Sequence, residues 1–256
     1  MSRTLAFGDD GSDGAERCWD WIASHTWAGW SLEVVTTSAP ADMHPVAPED
    51  AELRPWEPDR SRDVAGLGFG SVEYLRAELD PRVALIAREW DLVAIGQRGA
   101  GVLKALHLGS TADWLLRQPT SPLLIARKGE PVQRLMVCAD GSDHALRAIQ
   151  TLASMPLLTG AAVTVMAVDD GRIDPRPAID AATGLLAPSG AEVDEVIRKG
   201  RPTKVILTEI EQVRPDLVVM GARGLAGLKR LVLGSTTSAV SGSADVSLLV
   251  AHAQGA

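Results

Sequence analysis

Short apolar runs, each closed by turn residues, alternate along this chain with segments whose apolar residues recur at helical spacing. In the second half the runs fall at residues 135–139, 162–168, 193–197, 217–220 and 247–251, and helical patterns between them cover 144–154, 179–186, 202–213 and 235–243. The runs are nearly continuous in Val, Leu and Ile, as expected of strands covered on both faces. Strand and helix in alternation predict an α/β fold, doubly wound around a parallel sheet.

The pattern occurs twice. Residues 91–111, DLVAIGQRGAGVLKALHLGST, and 216–236, DLVVMGARGLAGLKRLVLGST, align without gaps and agree at 13 of 21 positions. Other blocks repeat in the same order: 5–13 with 135–143, 32–37 with 163–168, and 121–127 with 246–252. Such self-similarity predicts two tandem copies of one domain, 1–129 and 132–256, joined where Lys128-Gly-Glu-Pro131 supplies turn chemistry. The first copy is the less regular. Its 81–91 segment is four residues shorter than 202–216, about one helical turn, and 38–70, rich in Pro, Gly and charge, carries no clear second helix.

Composition narrows the class. The 256 residues are 46% apolar and 23% charged, as in globular proteins, with a formal net charge of −8. That balance argues against a nucleic-acid or anionic-membrane surface, which needs clustered Lys and Arg. No stretch approaches the ~20 apolar residues of a spanning helix, and the first ten residues do not read as a signal peptide. Cys18 and Cys138 sit in helical and strand patterns as small apolar residues, and the expected compartment is the cytoplasm. Most of the seven tryptophans, concentrated at Trp19, Trp21, Trp27 and Trp30, are expected in the core.

Each copy carries G-x2-G-x9-G-S-T directly after a strand that opens with Asp-Leu-Val. Strand, glycine-rich loop and helix in succession is the arrangement in which backbone amides converge on an anion. Gly96 and Gly99, or Gly221 and Gly224, would turn the chain tightly and let phosphate approach it. After Gly109 or Gly234, Ser110 or Ser235 would cap the next helix, with Thr111 or Thr236 in its first turn. Arg98 and Arg223 sit within the loops, and Lys104 and Lys229 beyond them, as cations for phosphate. A structural β–α connection accounts for one such loop equally well; two copies at identical spacing favour the anion. The Walker and Rossmann spacings are both absent. Asp10 and Asp140 end the first strand of each copy, where ligands of open α/β sheets bind; turn and cap chemistry explains the same Asp-Gly-Ser.

The strand ending in Asp-Gly-Ser, the Asp-Leu-Val-x-x-Gly strand and the G-x2-G-x9-G-[ST] loop resemble the ATP-binding signature of the universal stress protein family, over nearly the whole chain as two fused domains. The resemblance implies a five-stranded parallel sheet per domain with helices on both faces, the domains pairing through 122–127 and 247–252 as an intramolecular pseudo-dimer. It implies base contacts from Asp140 and the backbone of Val168, or from Asp10 and Thr37 in the first copy. Phosphate contacts would come from Gly221, Gly224, Gly234, Ser235 and Thr236, or Gly96, Gly99, Gly109, Ser110 and Thr111. ATP, with or without Mg2+, is the implied cofactor, and a second copy of the chain or another protein the implied partner.

Catalytic groups are not evident. The five histidines, His25, His44, His107, His144 and His252, have no metal spacing and no counterpart between copies. No nucleophile elbow or H-E-x-x-H motif occurs. The expectation is a non-enzymatic, ATP-binding stress-response regulator, with a slow ATP hydrolase or a ligand-free scaffold as alternatives.

Overall fold

A computed structural model describes residues 2–37, 52–58, 61–99, 108–118, 121–225 and 233–253. The chain forms two compact units, Met1–Leu115 with Thr120–Glu130, and Leu116–Pro119 with Pro131–Ala256.

The first unit runs β1 (Arg3–Gly8), α1 (Asp13–Ala23), β2 (Trp30–Thr37), β3 (Arg54–Pro55), β4 (Val72–Ala77), α2 (Pro81–Ala84), β5 (Leu92–Gly96), α3 (Ser110–Leu115) and β6 (Leu123–Ala126). Its strands lie in the order β3-β4-β2-β1-β5-β6, all parallel except β3. The expected five strands are therefore joined by a sixth, a two-residue antiparallel edge on β4. Pro55 suits an edge because it has no amide to donate onward.

The second unit runs β7 (Arg134–Cys138), α4 (Asp143–Ser154), β8 (Ala162–Asp169), α5 (Arg176–Leu186), β9 (Val193–Lys199), α6 (Pro202–Val213), β10 (Leu217–Gly221), α7 (Ser235–Ser243) and β11 (Ser247–Ala251). Its strands lie β11-β10-β7-β8-β9, all parallel. Every predicted element of this half is present within three residues of its expected bounds. The chain winds outward from β7 through β8 to β9, then returns to the other side through β10 and β11. With right-handed crossovers, α4 and α5 share one face, and α6 and α7 the other. The reversal falls between β7 and β10, and their carboxyl ends form the switch point.

The cores explain the composition of the strands. Leu5, Ala6 and Phe7 of β1 and Leu135, Met136 and Val137 of β7 are fully buried, each strand being covered on both faces. Trp21, Trp27 and Trp30 are buried in the first unit, where Trp27 stacks on Phe69 at 5.8 Å and donates its indole N–H to the Ile22 carbonyl. Cys18 and Cys138 are buried free thiols, and burial pushes the Cys138 thiol up to about 12. No described helix is long and apolar enough to cross a membrane.

The first unit departs from the second on the α1 face. No helix stands between β2 and β4 among the described residues. The guanidinium of Arg62 lies there instead, 5.5 Å over the Phe7 and Trp19 rings, and donates to Asp9 and to Glu16 at 2.7–2.9 Å. The α2 helix has four residues where α6 has twelve.

The aspartate that opens each Asp-Leu-Val strand is a tie between strands. Asp216 Oδ2 accepts the amides of Gln133 and Arg134 at 3.0 and 2.9 Å, and Asp91 Oδ2 accepts that of Thr4 at 2.8 Å. Asp216→Ala removes two charge-assisted bonds and is expected to cost roughly 1–2 kcal/mol. Asp91→Ala, which removes one, is expected to cost less. Urea unfolding midpoints of the two variants check the order; equal losses would show that the amide ties are not what these carboxylates contribute.

Candidate functional site

Each first strand ends in a turn that also begins the following helix. Gly141 sits at φ +78°, in the left-handed region. Asp140 Oδ1 accepts the Ser142 amide at 3.0 Å, and the Ser142 side chain accepts the Ala145 amide at 3.2 Å as the N-cap of α4. The Ser142 hydroxyl also has two acceptors in reach, Asp140 Oδ1 at 2.6 Å and the Arg223 carbonyl at 3.1 Å. The first unit repeats this with Gly11 at φ +68°, Asp10 accepting the Ser12 amide at 3.0 Å, and Ser12 capping α1. Turn and cap chemistry thus occupies one oxygen of each aspartate.

The glycine loops pack on these turns. A Cβ on Gly221 would stand 2.6 Å from the Ala145 amide nitrogen, and one on Gly96 2.2 Å from the Gly14 carbonyl carbon. The first glycine of each motif therefore admits the first turn of the adjoining helix, and Gly221 also lines the cleft at the switch point. A Cβ on Gly224 would stand 2.7 Å from Asp140 Oδ2, and one on Gly99 2.4 Å from Asp10 Oδ2. The third glycines close the loops, Gly234 donating to the Ala222 carbonyl at 2.8 Å and Gly109 to that of Gln97 at 2.9 Å. Lys104, Lys229 and His107 lie outside the described residues.

The helix after the second loop begins one residue earlier than a cap at Ser235 would place it. Gly234 is the N-cap, and Ser235 is the first helical residue. Without a side chain at the cap, the amides of the first turn receive no bond from the cap residue. Ser110 likewise falls inside α3. Thr237 donates to the Gly221 carbonyl at 2.8 Å, and the Thr236 and Thr203 hydroxyls lie 3.1 Å apart, tying α7 to α6.

All eight residues singled out in the second copy, Asp140, Val168, Gly221, Arg223, Gly224, Gly234, Ser235 and Thr236, line one cleft of about 1060 Å³ at the switch point. Its floor is apolar, from Cys138, Ile206 and Met220. The N-termini of α6 and α7 both open into it. The α6 cap, Arg201, makes no side-chain cap bond either. Arg172, Arg201 and Arg223 stand among the lining against Asp140, Asp169, Asp170 and Asp174. Ile173 and Leu225 are exposed at its rim. Sequence reasoning missed Arg201 and Thr203. Their signal was the Gly200-Arg-Pro202 start of α6, a helix opening that carries no glycine motif. In the first copy, Asp10, Arg98, Gly99 and Gly109 converge in the same way, and Thr37 ends β2 two residues past the strand position paired with Gly8. Among the described residues no three His, Cys, Asp or Glu side chains gather as a metal would need.

Behind the second loop, His144 and His252 meet edge to face at 5.9 Å, and His144 Nδ1 accepts the Ala253 amide at 2.7 Å. Burial, then the charge of Arg223, holds His144 below its ordinary value. Burial pushes His252 down to about 4.

Residues 131–252 match the family described as Universal stress protein family. A universal stress protein of Synechocystis sp. is 27% identical over 156 residues, 59% of this chain and 54% of that protein. One of Mycobacterium tuberculosis is 23% identical over 194 residues, 67% of this chain and 65% of that protein. The chain thus spans between about half and two thirds of the length of these curated relatives. Among solved structures, a universal stress protein from Archaeoglobus fulgidus covers 98% of this chain and 99% of its own at 19% identity with a TM-score of 0.65. A functionally unknown protein from Pseudomonas aeruginosa covers 99% and 93% at 14% identity with a TM-score of 0.62. These two share the fold. The family match covers the second copy, just under half of the chain.

Two glycines that look alike in the motif are expected to respond differently. Gly221→Ala drives a methyl into the α4 backbone, which cannot yield cheaply, and is expected to cost about 1–3 kcal/mol in urea unfolding. Gly224→Ala meets only a carboxylate tip, so it should spare stability and alter ligand affinity; equal destabilisation by both would refute the assignment. The neutral His252 of the folded state takes up its proton near pH 4, against 6.5 in the unfolded chain. Its contribution is therefore complete above pH 6.5 and lost as pH falls towards 4. His252→Gln should flatten the stability profile across that window by roughly 2–3 kcal/mol, measured by urea unfolding at pH 7.5 and 4.5.

Proposed function

We propose, from its likeness to the universal stress proteins, that this chain is an ATP-binding stress-response regulator without catalytic turnover, its ligand held in the cleft of the second copy. The observation that carries the reading is the junction of two helix N-termini in that cleft. The α7 N-terminus has no side-chain cap, that of α6 has none either, and arginines stand beside both. Free first-turn amides and the positive ends of helix dipoles favour a multiply charged anion. Arg201 and Arg223 add charge-assisted donors.

The rest of the cleft suits a nucleoside. Small-molecule sites run to roughly 300–1,000 Å³ with apolar walls and few polar groups, and this one is of that size. The apolar floor of Cys138, Ile206 and Met220 offers a surface for a base, and the end of β8 at Val168 offers backbone polar groups at its edge. Asp140 retains Oδ2 facing Gly224 for a hydroxyl or amino donor. The residues fit ATP. Mg2+ would arrive with the phosphates, since the aspartates of the lining form no cation cage of their own. A regulator of this kind acts by changing its surface for a second copy or another protein when the nucleotide is bound.

Purified protein should release ATP on denaturation, and calorimetry should show binding in the micromolar range or tighter. Gly234→Trp should abolish the binding, its circular dichroism spectrum separating loss of the site from loss of the fold. Neither released adenine nucleotide nor binding heat would end the reading. Steady conversion to ADP, lost in Asp140→Asn, would replace it with the hydrolase.

A further inference from the structure

The two copies can be superposed residue by residue through their strand registers. Thr37 pairs with Ala77, and Val168 with Arg198. Three residues beyond those partners stand Asp80 and Arg201, each directly before the proline that opens the next helix. The first-strand repeat likewise sets Gly8 and Asp9 against Cys138 and Ala139, both of which line the second cleft.

At two of these positions the first copy carries, in place of a cleft-lining group, an aspartate with its own arginine partner. Where the second has Arg201 and an uncapped helix, the first has Asp80, which caps α2 by accepting the Arg82 amide at 2.8 Å and also holds the Arg82 guanidinium. Asp80 is 3% exposed and engages the Arg82 guanidinium with both oxygens, so the start of α2 holds a closed ion pair where the second copy presents Arg201. Where the second has Ala139, the first has Asp9, bound on both oxygens by Arg62, itself anchored on Glu16 and the Phe7 and Trp19 rings. Where the second has Cys138 as floor, a Cβ on Gly8 would stand 3.2 Å from a methyl of Leu85, which lies over that strand.

We propose that the first copy is closed to nucleotide by its own side chains, Asp80 across the start of α2 and Arg62 on Asp9, so that the chain binds one nucleotide, in the second copy. The inference rests on the nucleotide reading of the second cleft. Entry of a polyphosphate to the first site would place it beside a buried carboxylate whose cap and guanidinium are already engaged, with Leu85 over the floor.

Calorimetry of the full chain with ATP should give one equivalent per chain. Photolabelling with 8-azido-ATP should mark peptides from 131–253 and none from 2–130, with excess ATP abolishing the label. Arg201→Asp, which gives the second copy the charge of the first, should weaken ATP roughly tenfold or more. Two equivalents, ATP-competed label in first-copy peptides, or unchanged affinity in Arg201→Asp would overturn the proposal while leaving the nucleotide reading in place. No binding at all by the unaltered chain would remove both.

Discussion

Three backbone segments meet at the carboxyl ends of the central strands, and their contact distance governs the rest of each copy. The Asp-Gly-Ser turn, the first turn of the helix it opens, and the glycine loop approach so closely that a single Cβ at Gly221 or Gly96 would clash with backbone. Ser142 bridges all three, accepting an α4 amide while its hydroxyl reaches Asp140 and the Arg223 carbonyl. This contact fixes where β7 and β10 part and where α7 starts. The cleft at the switch point follows from it.

The same contact explains what could be read from sequence. Glycine demanded by close packing, serine by capping and aspartate by an Asx turn are residue types with few substitutes, so their spacing stands out twice in the chain. Strands buried on both faces are equally legible, because nothing but apolar side chains suits them. In the second unit this located every strand and every α-helix. The residues that line the cleft from other directions were harder to see. Arg201 and Thr203 belong to a helix start with no required residue type, and their place in the site comes from the α6–α7 contact between distant parts of the chain. The β3 edge was illegible for a related reason: two residues, one a proline, carry no periodicity.

Where sequence reasoning assigned a role, packing sometimes took it over. Ser235 looked like a cap, yet Gly234 holds the cap position and supplies no side-chain cap bond to α7. Gly221 lines the cleft, yet the lack of a side chain there is demanded first by its contact with α4. A motif drawn from residue types records the demands of the backbone and those of the ligand together, and only the geometry separates them.

That separation bears on how one copy of a repeated domain can diverge without losing its signature. The glycines and the Asp-Gly-Ser turn in the first copy make the same backbone contacts as in the second. They would be required there with or without a ligand. The copies differ instead at groups that line the cleft and in the helix beside it: Asp80 for Arg201, Asp9 for Ala139, four helical residues for twelve. Each replacement brings its own partner, Arg82 or Arg62, so no charge is left buried alone, which would cost several kcal/mol. The charge at the mouth of the α2 or α6 helix therefore distinguishes the copies more sharply than the glycine motif they share.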